Sequence, residues 1–174
     1  MALDPFEGRH MTTKKITVRR SKIHGRGFFV ARPVKKGAVI AALQGKICKK
    51  VNKNIKDVLG HPDWVGIGKN TWLDPRPPFK FINHSCAPSA GIRGKTTMFA
   101  ERNLKAGDEV TLDYSTIEGD PRWHMRCFCK SKNCRKTIRS IRFLPYTTYK
   151  KYLPYIPGYF QSLYKKGIRK GKPV

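Results

Sequence analysis

The side chains able to do chemistry fall into five short stretches in one order. They are His24-Gly25-Arg26-Gly27-Phe28-Phe29, Asn83-His84-Ser85-Cys86, Gly107-Asp108-Glu109, Asp113-Tyr114-Ser115, and Cys127-Phe128-Cys129 with Cys134. Taken singly they leave choices open. Three clustered cysteines offer soft metal ligands or stand as free thiols, and a total of five, an odd number, fits either reading better than disulfides. His84 follows the apolar pair Phe81-Ile82 and is a hydrogen-bonded core residue or a functional one. Tyr114 is a packed strand aromatic or a working phenol, and it is the only tyrosine before residue 146.

The glycines do not build a phosphate loop. After Gly25 and Gly27 the third glycine of a dinucleotide fingerprint is missing, since Val30 stands there and no helix signal follows. Gly66-Ile67-Gly68-Lys69-Asn70-Thr71 lacks Walker spacing. On its own, Gly25-Arg26-Gly27 reads as a strand-entry turn, because glycine tolerates positive φ.

The ordered set, from about Val18 to about Arg139, resembles the SET-domain protein lysine methyltransferases. That resemblance implies a mostly β, β-clip fold of short curved sheets, few short helices and a knot-like threading near the C-terminal end of the domain. It implies S-adenosylmethionine held by His24, Gly25, Arg26, Gly27, Asn83 and His84, with Arg26 facing the cofactor carboxylate and Trp64 as a nearby aromatic. Asn83 and His84 act there largely through main-chain groups, and His84 is not a general base. Tyr114 is the residue at the reacting methyl. A lysine ε-amine must arrive neutral, and a dry channel lowers its pKa from near 10.4, so no carboxylate base is needed and Glu109 and Asp113 are structural. The family's usual Pro-Asn after the cysteine is Pro88-Ser89 here. Leu112, two before Tyr114, cannot hold a water by the amine, which favours di- or trimethylation. The resemblance also implies a post-SET structural Zn²⁺ on Cys86, Cys127, Cys129 and Cys134, four thiolates in a closed site. Cys48 is left over as a free thiol.

The elements that must position these residues are short. Ile16–Arg19, Gly27–Ala31, Val39–Leu43, Thr96–Ala100 and Val110–Leu112 read as strands punctuated by Gly, Pro and Asn. Asn52–Leu59 reads as a turn or two of helix. Residues 1–10 read as an appended leader with Met11 as the start. The SET domain is expected over 11–126, the zinc segment over 127–140 and a basic Tyr/Pro-rich extension over 141–174. Leu144–Tyr164 holds six of the seven tyrosines, interrupted by Pro145, Pro154 and Pro157, so a long unbroken helix is not expected there. This stretch is expected to pack on the core, where one of its tyrosines completes the lysine channel, the alternative being that its aromatics stack on nucleic acid, and Lys165–Lys172 is expected to fray.

Lys and Arg number 37 against 11 Asp and Glu, a formal +26, and from Pro121 onward 15 basic residues meet no acid. Such a surface is a solvated solubilising face or attracts nucleic acid. No apolar run reaches the ~20 residues of a membrane span and no secretory signal is visible. A cytoplasmic protein, associated with nucleoid or chromatin, is expected, whose substrate is a lysine on a chromatin or ribosomal protein. The contrasting expectation is a basic zinc-containing nucleic-acid-binding or cofactor-binding interaction protein with an inactive SET core.

Overall fold

The computed structural model describes residues 15–49 and 63–169. The helix expected over Asn52–Leu59 lies outside the described residues, as does the leader. Twelve short strands follow in chain order among the described residues: β1 (Ile16–Arg20), β2 (Arg26–Val30), β3 (Val39–Ala42), β4 (Gly45–Lys49), β5 (Val65–Gly68) and β6 (Thr71–Pro75) come first. Then come β7 (Asn83–His84), β8 (Ala90–Arg93), β9 (Thr97–Ala100), β10 (Glu109–Leu112), β11 (His124–Arg126) and β12 (Thr137–Arg139), and two helices, α1 (Tyr146–Tyr152) and α2 (Gly158–Arg169), close the chain. This is the mostly β architecture of small sheets that the resemblance implies.

Three small sheets and a ribbon carry the site. The first sheet has the order β1-β2-β10-β7. Its hairpin arises from the alternation of β1, which turns Ile16 and Val18 inward, against the apolar run Phe28-Phe29-Val30. β10 joins β2 antiparallel and takes β7 on its other edge in parallel, pairing Thr111 with Asn83 and Leu112 with His84. That single parallel contact sets Asp113-Tyr114-Ser115 beside Asn83-His84-Ser85-Cys86. The other sheets are β3-β9-β8 and β4-β6-β5, and β11-β12 is a separate antiparallel ribbon.

One core serves the strands and the extension together. Phe28, Val30, Ile92, Met98 and Val110 pack in the same cluster as Leu144, Tyr149, Tyr152, Ile156, Phe160 and Tyr164. Glycines make room for the extension: a Cβ on Gly91 would collide with Tyr155, one on Gly66 with Phe160 and Ile117 O, and one on Gly119 with Leu163 at 2.8 Å. The extension thus packs as expected, with the helices broken at Pro154 and Pro157. Two expectations need correction. Of the stretch expected to fray, residues through Arg169 are helical, because α2 buries Phe160 and Tyr164 and carries the following basic turn with it, while Lys170–Lys172 lie outside the described residues. The extension's tyrosines do not line the cavity described below; Tyr152 instead donates its hydroxyl to Cys86 O at 3.1 Å, and Tyr149 stacks on Tyr164 at 3.7 Å.

Candidate active site and metal centre

A cavity of about 720 Å³ opens between the first sheet, the β4-β6-β5 sheet and the ribbon. His24, Gly25, Arg26, Trp64, Asn83, His84 and Tyr114 all line it. Gly25 sits at φ +47°, a conformation natural to glycine, and nothing lies within 4 Å of where its Cβ would be, so this turn presents bare backbone to open space. The Arg26 guanidinium lies over the Phe81 ring at 4.4 Å.

Gly27 is the expected cofactor contact that the structure places elsewhere. It does not line the cavity; a Cβ there would meet Glu109 Oε1 at 2.5 Å and Phe29 at 2.9 Å. Its smallness admits Glu109, which accepts from Ser21 Oγ at 2.8 and 2.9 Å and from Asn83 Nδ2 at 2.8 Å. The same Asn83 Nδ2 donates to His24 O at 3.1 Å and Arg26 O at 3.0 Å. The Asn83 amide is therefore spent on holding the glycine turn, leaving its main chain for any ligand.

Tyr114 is fixed from three sides. Its hydroxyl donates to Ile82 O at 2.6 Å, its amide donates to His84 Nδ1 at 3.2 Å, and its ring meets the His84 ring edge-on at 5.3 Å. With its proton committed to a carbonyl, the phenol turns its lone pairs to other partners. Burial, reinforced by the charges of Asp63 and Glu109, holds its pKa well above the phenolic value, so it remains protonated. His84 is likewise neutral: burial, aided by the Arg135 charge, lowers it to about 3. Its 3.8 Å approach to Asp113 is then not an ion pair. Asp113 caps the turn after β10 by accepting from Ser115 N at 3.0 Å and holds Arg135 Nη2 at 2.6 Å.

Cys86, Cys127, Cys129 and His84 bring one donor atom each within 4.8 Å of one another. The Cys86 and Cys127 sulfurs stand 3.7 Å apart, close to the tetrahedral edge of ~3.8 Å that Zn–S bonds of about 2.3 Å require. Amide groups aim at the sulfurs: Cys86 N at Cys129 Sγ (3.4 Å), Cys129 N at Cys127 Sγ (3.5 Å) and Arg135 N at Cys86 Sγ (3.4 Å). Burial opposes ionisation of Cys129, yet the Cys86 amide and the Ser131 hydroxyl and amide bring it down to about 6. Burial pushes the Cys86 and Cys127 thiols up, so Cys129 is the one held toward thiolate without a metal, and a soft sulfur donor set of this kind fits Zn²⁺, whose charge would favour the rest. His84 is the histidine that the sequence did not assign to this cluster. Its Nδ1 accepts the Tyr114 amide proton, so the ring proton is on Nε2, which faces Cys86 Sγ at 3.3 Å as a donor and has no lone pair for a metal. Cys134 packs on the same cluster and faces the Cys127 thiol. Cys48 lies apart, half-buried, near Lys46 O at 3.8 Å.

Sequence reasoning missed Trp123, Met125 and Phe128, which close the cavity from the ribbon side. The one available signal was an aromatic held between two cysteines. It also missed the Ile82 carbonyl, which no side-chain pattern marks.

The fold and this site define a SET domain: the family's sequence model matches residues 25–115, 91 of the 174, and the chain belongs to that family. The chain is 30% identical over 143 residues to the histone-lysine N-methyltransferase set1 of Dictyostelium discoideum, covering 72% of this chain and 9% of that protein. It is 25% identical over 147 residues to the H3 lysine-4 specific histone-lysine N-methyltransferase of Cryptococcus neoformans, covering 75% and 10%. With the probable histone-lysine N-methyltransferase set-23 of Caenorhabditis briggsae it shares 39% over 81 residues, covering 39% and 33%. The chain thus spans a tenth or less of the first two relatives and a third of the last. Among the described residues no helix is long and apolar enough to cross a membrane.

Proposed function

We propose that the protein is an S-adenosylmethionine-dependent protein-lysine N-methyltransferase. The observation that carries this reading is Tyr114, its hydroxyl proton held by Ile82 O at 2.6 Å, on the wall of a cavity shared with Gly25, Arg26 and Asn83. The cavity size, its aromatic walls and the Arg26 guanidinium, one of three Lys or Arg side chains in the lining with Lys80 and Arg126, fit a molecule with an adenine, a sulfonium and a carboxylate. S-adenosylmethionine, when bound, supplies the methyl group. Arg26 would pair with its carboxylate, and the Gly25 turn and the main chain of Asn83 and His84 would border it.

The chain's own residues prepare the amine. The apolar walls at Ile82, Leu112 and Phe79 exclude water and disfavour an ammonium, so the lysine gives its proton to solvent on entry. Tyr114, protonated throughout, directs lone pairs at the amine and orients it; it is no base. Leu112 supplies no hydrogen bond that would retain a water, so two or three methyl groups fit. Cys86, Cys127, Cys129 and Cys134 would hold one structural Zn²⁺, and through it these cysteines would tie the ribbon across the cavity. The substrate is a lysine on a chromatin or ribosomal protein presented on nucleic acid, since a +26 chain repels a free basic peptide, and the protein works in the cytoplasm or on chromatin.

The experiment is transfer of labelled methyl from S-adenosylmethionine to proteins of a cell lysate, with Tyr114→Phe expected to slow it by about 100-fold through lost orientation while leaving cofactor-product affinity unchanged. Binding without transfer in the wild type would move the protein to a cofactor-binding module.

A further inference from the structure

The ribbon beside the cavity carries an unusual charge. From Arg122 to Arg139 it holds seven Lys or Arg and no acid. Arg135 is drawn inward to Asp113 at 2.6 Å and Arg122 pairs with Asp120 at 3.2 Å. Arg126, Lys130, Lys132, Lys136 and Arg139 are exposed, and none faces a carboxylate among the described residues. The register pairs His124 with Arg139 and Arg126 with Thr137, so these four share one face, while Ile138 turns to the cysteine cluster and is 0% exposed. Arg126 lies over the Phe128 ring at 5.2 Å and Arg139 over the Phe143 ring at 3.7 Å, which spreads the guanidinium groups on the surface.

Backbone strain points the same way. Lys130 and Lys136 sit at φ 56° and 61°, and the other non-glycine residue at positive φ among those described is Asn70, a type that tolerates it. Lysine in the left-handed region carries a strain that glycine would avoid. The ribbon bears this twice, at positions whose ammonium groups reach solvent, a pattern typical of places where the side chain is used.

We propose that the β11-β12 ribbon docks on the phosphate backbone of duplex DNA and thereby brings a DNA-bound lysine to the cavity mouth. A two-stranded ribbon matches the width of the B-form major groove, and a run of cations free of any acid suits an unbroken line of phosphates. His124, Met125, Arg126 and Phe128 line the cavity as well as belonging to the ribbon and its exit, so docked DNA lies next to the opening. The placement rests on the methyltransferase reading; the DNA contact does not.

The test is anisotropy with a labelled mixed-sequence 30-base-pair DNA over a KCl series. If three of the four cations touch phosphates, Lys130→Gln/Lys132→Gln/Lys136→Gln/Arg139→Gln weakens binding about 100-fold at ~0.15 M salt and flattens the log–log salt slope by about 3. A control with Lys35→Gln/Lys49→Gln/Lys95→Gln/Lys105→Gln stays within about threefold of wild type. Equal loss in the control, or polyglutamate of matched charge binding as tightly as DNA, overturns the proposal. A matched RNA duplex binds more weakly, its deep major groove excluding the ribbon; equal binding overturns the groove placement. Hydrogen exchange on the wild type removes dependence on the variants: DNA must protect residues 121–140, and protection confined elsewhere overturns the inference. Calorimetry with S-adenosylhomocysteine on the same proteins separates the readings. Cofactor binding without DNA binding sinks only this proposal, and the reverse sinks the methyltransferase reading and the lysine placement with it while leaving the DNA contact standing.

Discussion

Arg135→Met tests how the cysteine cluster and the turn that carries Tyr114 are joined. Arg135 reaches Asp113 Oδ1 at 2.6 Å through Nη2 and Cys86 Sγ at 3.4 Å through Nε, while the second Asp113 oxygen has no hydrogen-bond partner among the described residues and the side chain is 1% exposed. Burial pushes the Asp113 carboxyl up from 3.8, and Arg135 is the main opposing influence. Removing one partner of a buried pair costs about 3–5 kcal/mol. Part of this is relieved if Asp113 takes up a proton, which gives the signature. In the variant the native state holds a proton that the unfolded chain releases near 3.8, so its stability falls as pH rises. The penalty in urea unfolding of zinc-saturated protein is therefore expected to grow from about 1 kcal/mol at pH 5 to about 3–4 kcal/mol at pH 7.5, bounded by about 1.4 kcal/mol per pH unit. Arg135→Met/Asp113→Asn, which keeps the Ser115 amide bond, should recover at least about 2 kcal/mol at pH 7.5. A penalty under ~1 kcal/mol at every pH, or a double variant no more stable than the single one, refutes the account.

Three further outcomes are expected. Gly27→Ala, without touching the cavity, forces Glu109 off Asn83, costs about 1–3 kcal/mol of stability and lowers S-adenosylhomocysteine affinity in calorimetry; unchanged affinity counts against the Glu109 clamp. Burial raises Glu101 from 4.5 to about 8, with Asp113 adding to the rise and Lys151 and Lys36 opposing it, so the native state binds the extra proton and stability drops as pH climbs between those values. Glu101→Gln should flatten that drop and stabilise by roughly 2–3 kcal/mol at pH 8 in thermal or urea unfolding, and a destabilised variant there would contradict the assignment. Chelation of zinc, read by a thiol reagent and by melting, should free Cys127, Cys129 and Cys134 together with Cys86 and abolish cofactor binding, because the ribbon that carries Trp123 and Phe128 loses its anchor.

Where apolar alternation meets a buried face, local sequence was sufficient: Ile16-Thr-Val18 and Phe28-Phe29-Val30 announce β1 and β2. β4 escaped because its Lys46, Ile47 and Lys49 are all exposed and no face is buried to leave a pattern. The ribbon escaped for a different reason. Its β11 is exposed throughout, and its register rests on contacts such as Cys127 N to Lys136 O at 2.6 Å and on the cysteine cluster. In the site, the motifs marked Asn83, His84 and Tyr114, whereas the task of each depends on partners far along the chain. Asn83 bonds to Glu109 and Arg26, 26 and 57 positions away, and Gly27 makes room for Glu109. Spacing within a motif carries no trace of such pairings.

The glycine sockets at Gly66, Gly91 and Gly119 have a consequence for the order of assembly. Each receives a side chain of the last thirty or so positions, and Gly66 shares Phe160 with Ile117, a residue of the cavity wall. During synthesis the strands leave the ribosome first, with those sockets empty and their apolar linings wet. The cavity wall at Ile117 gains its backing only after α2 has emerged, so a nascent chain is obliged to wait until that helix has seated.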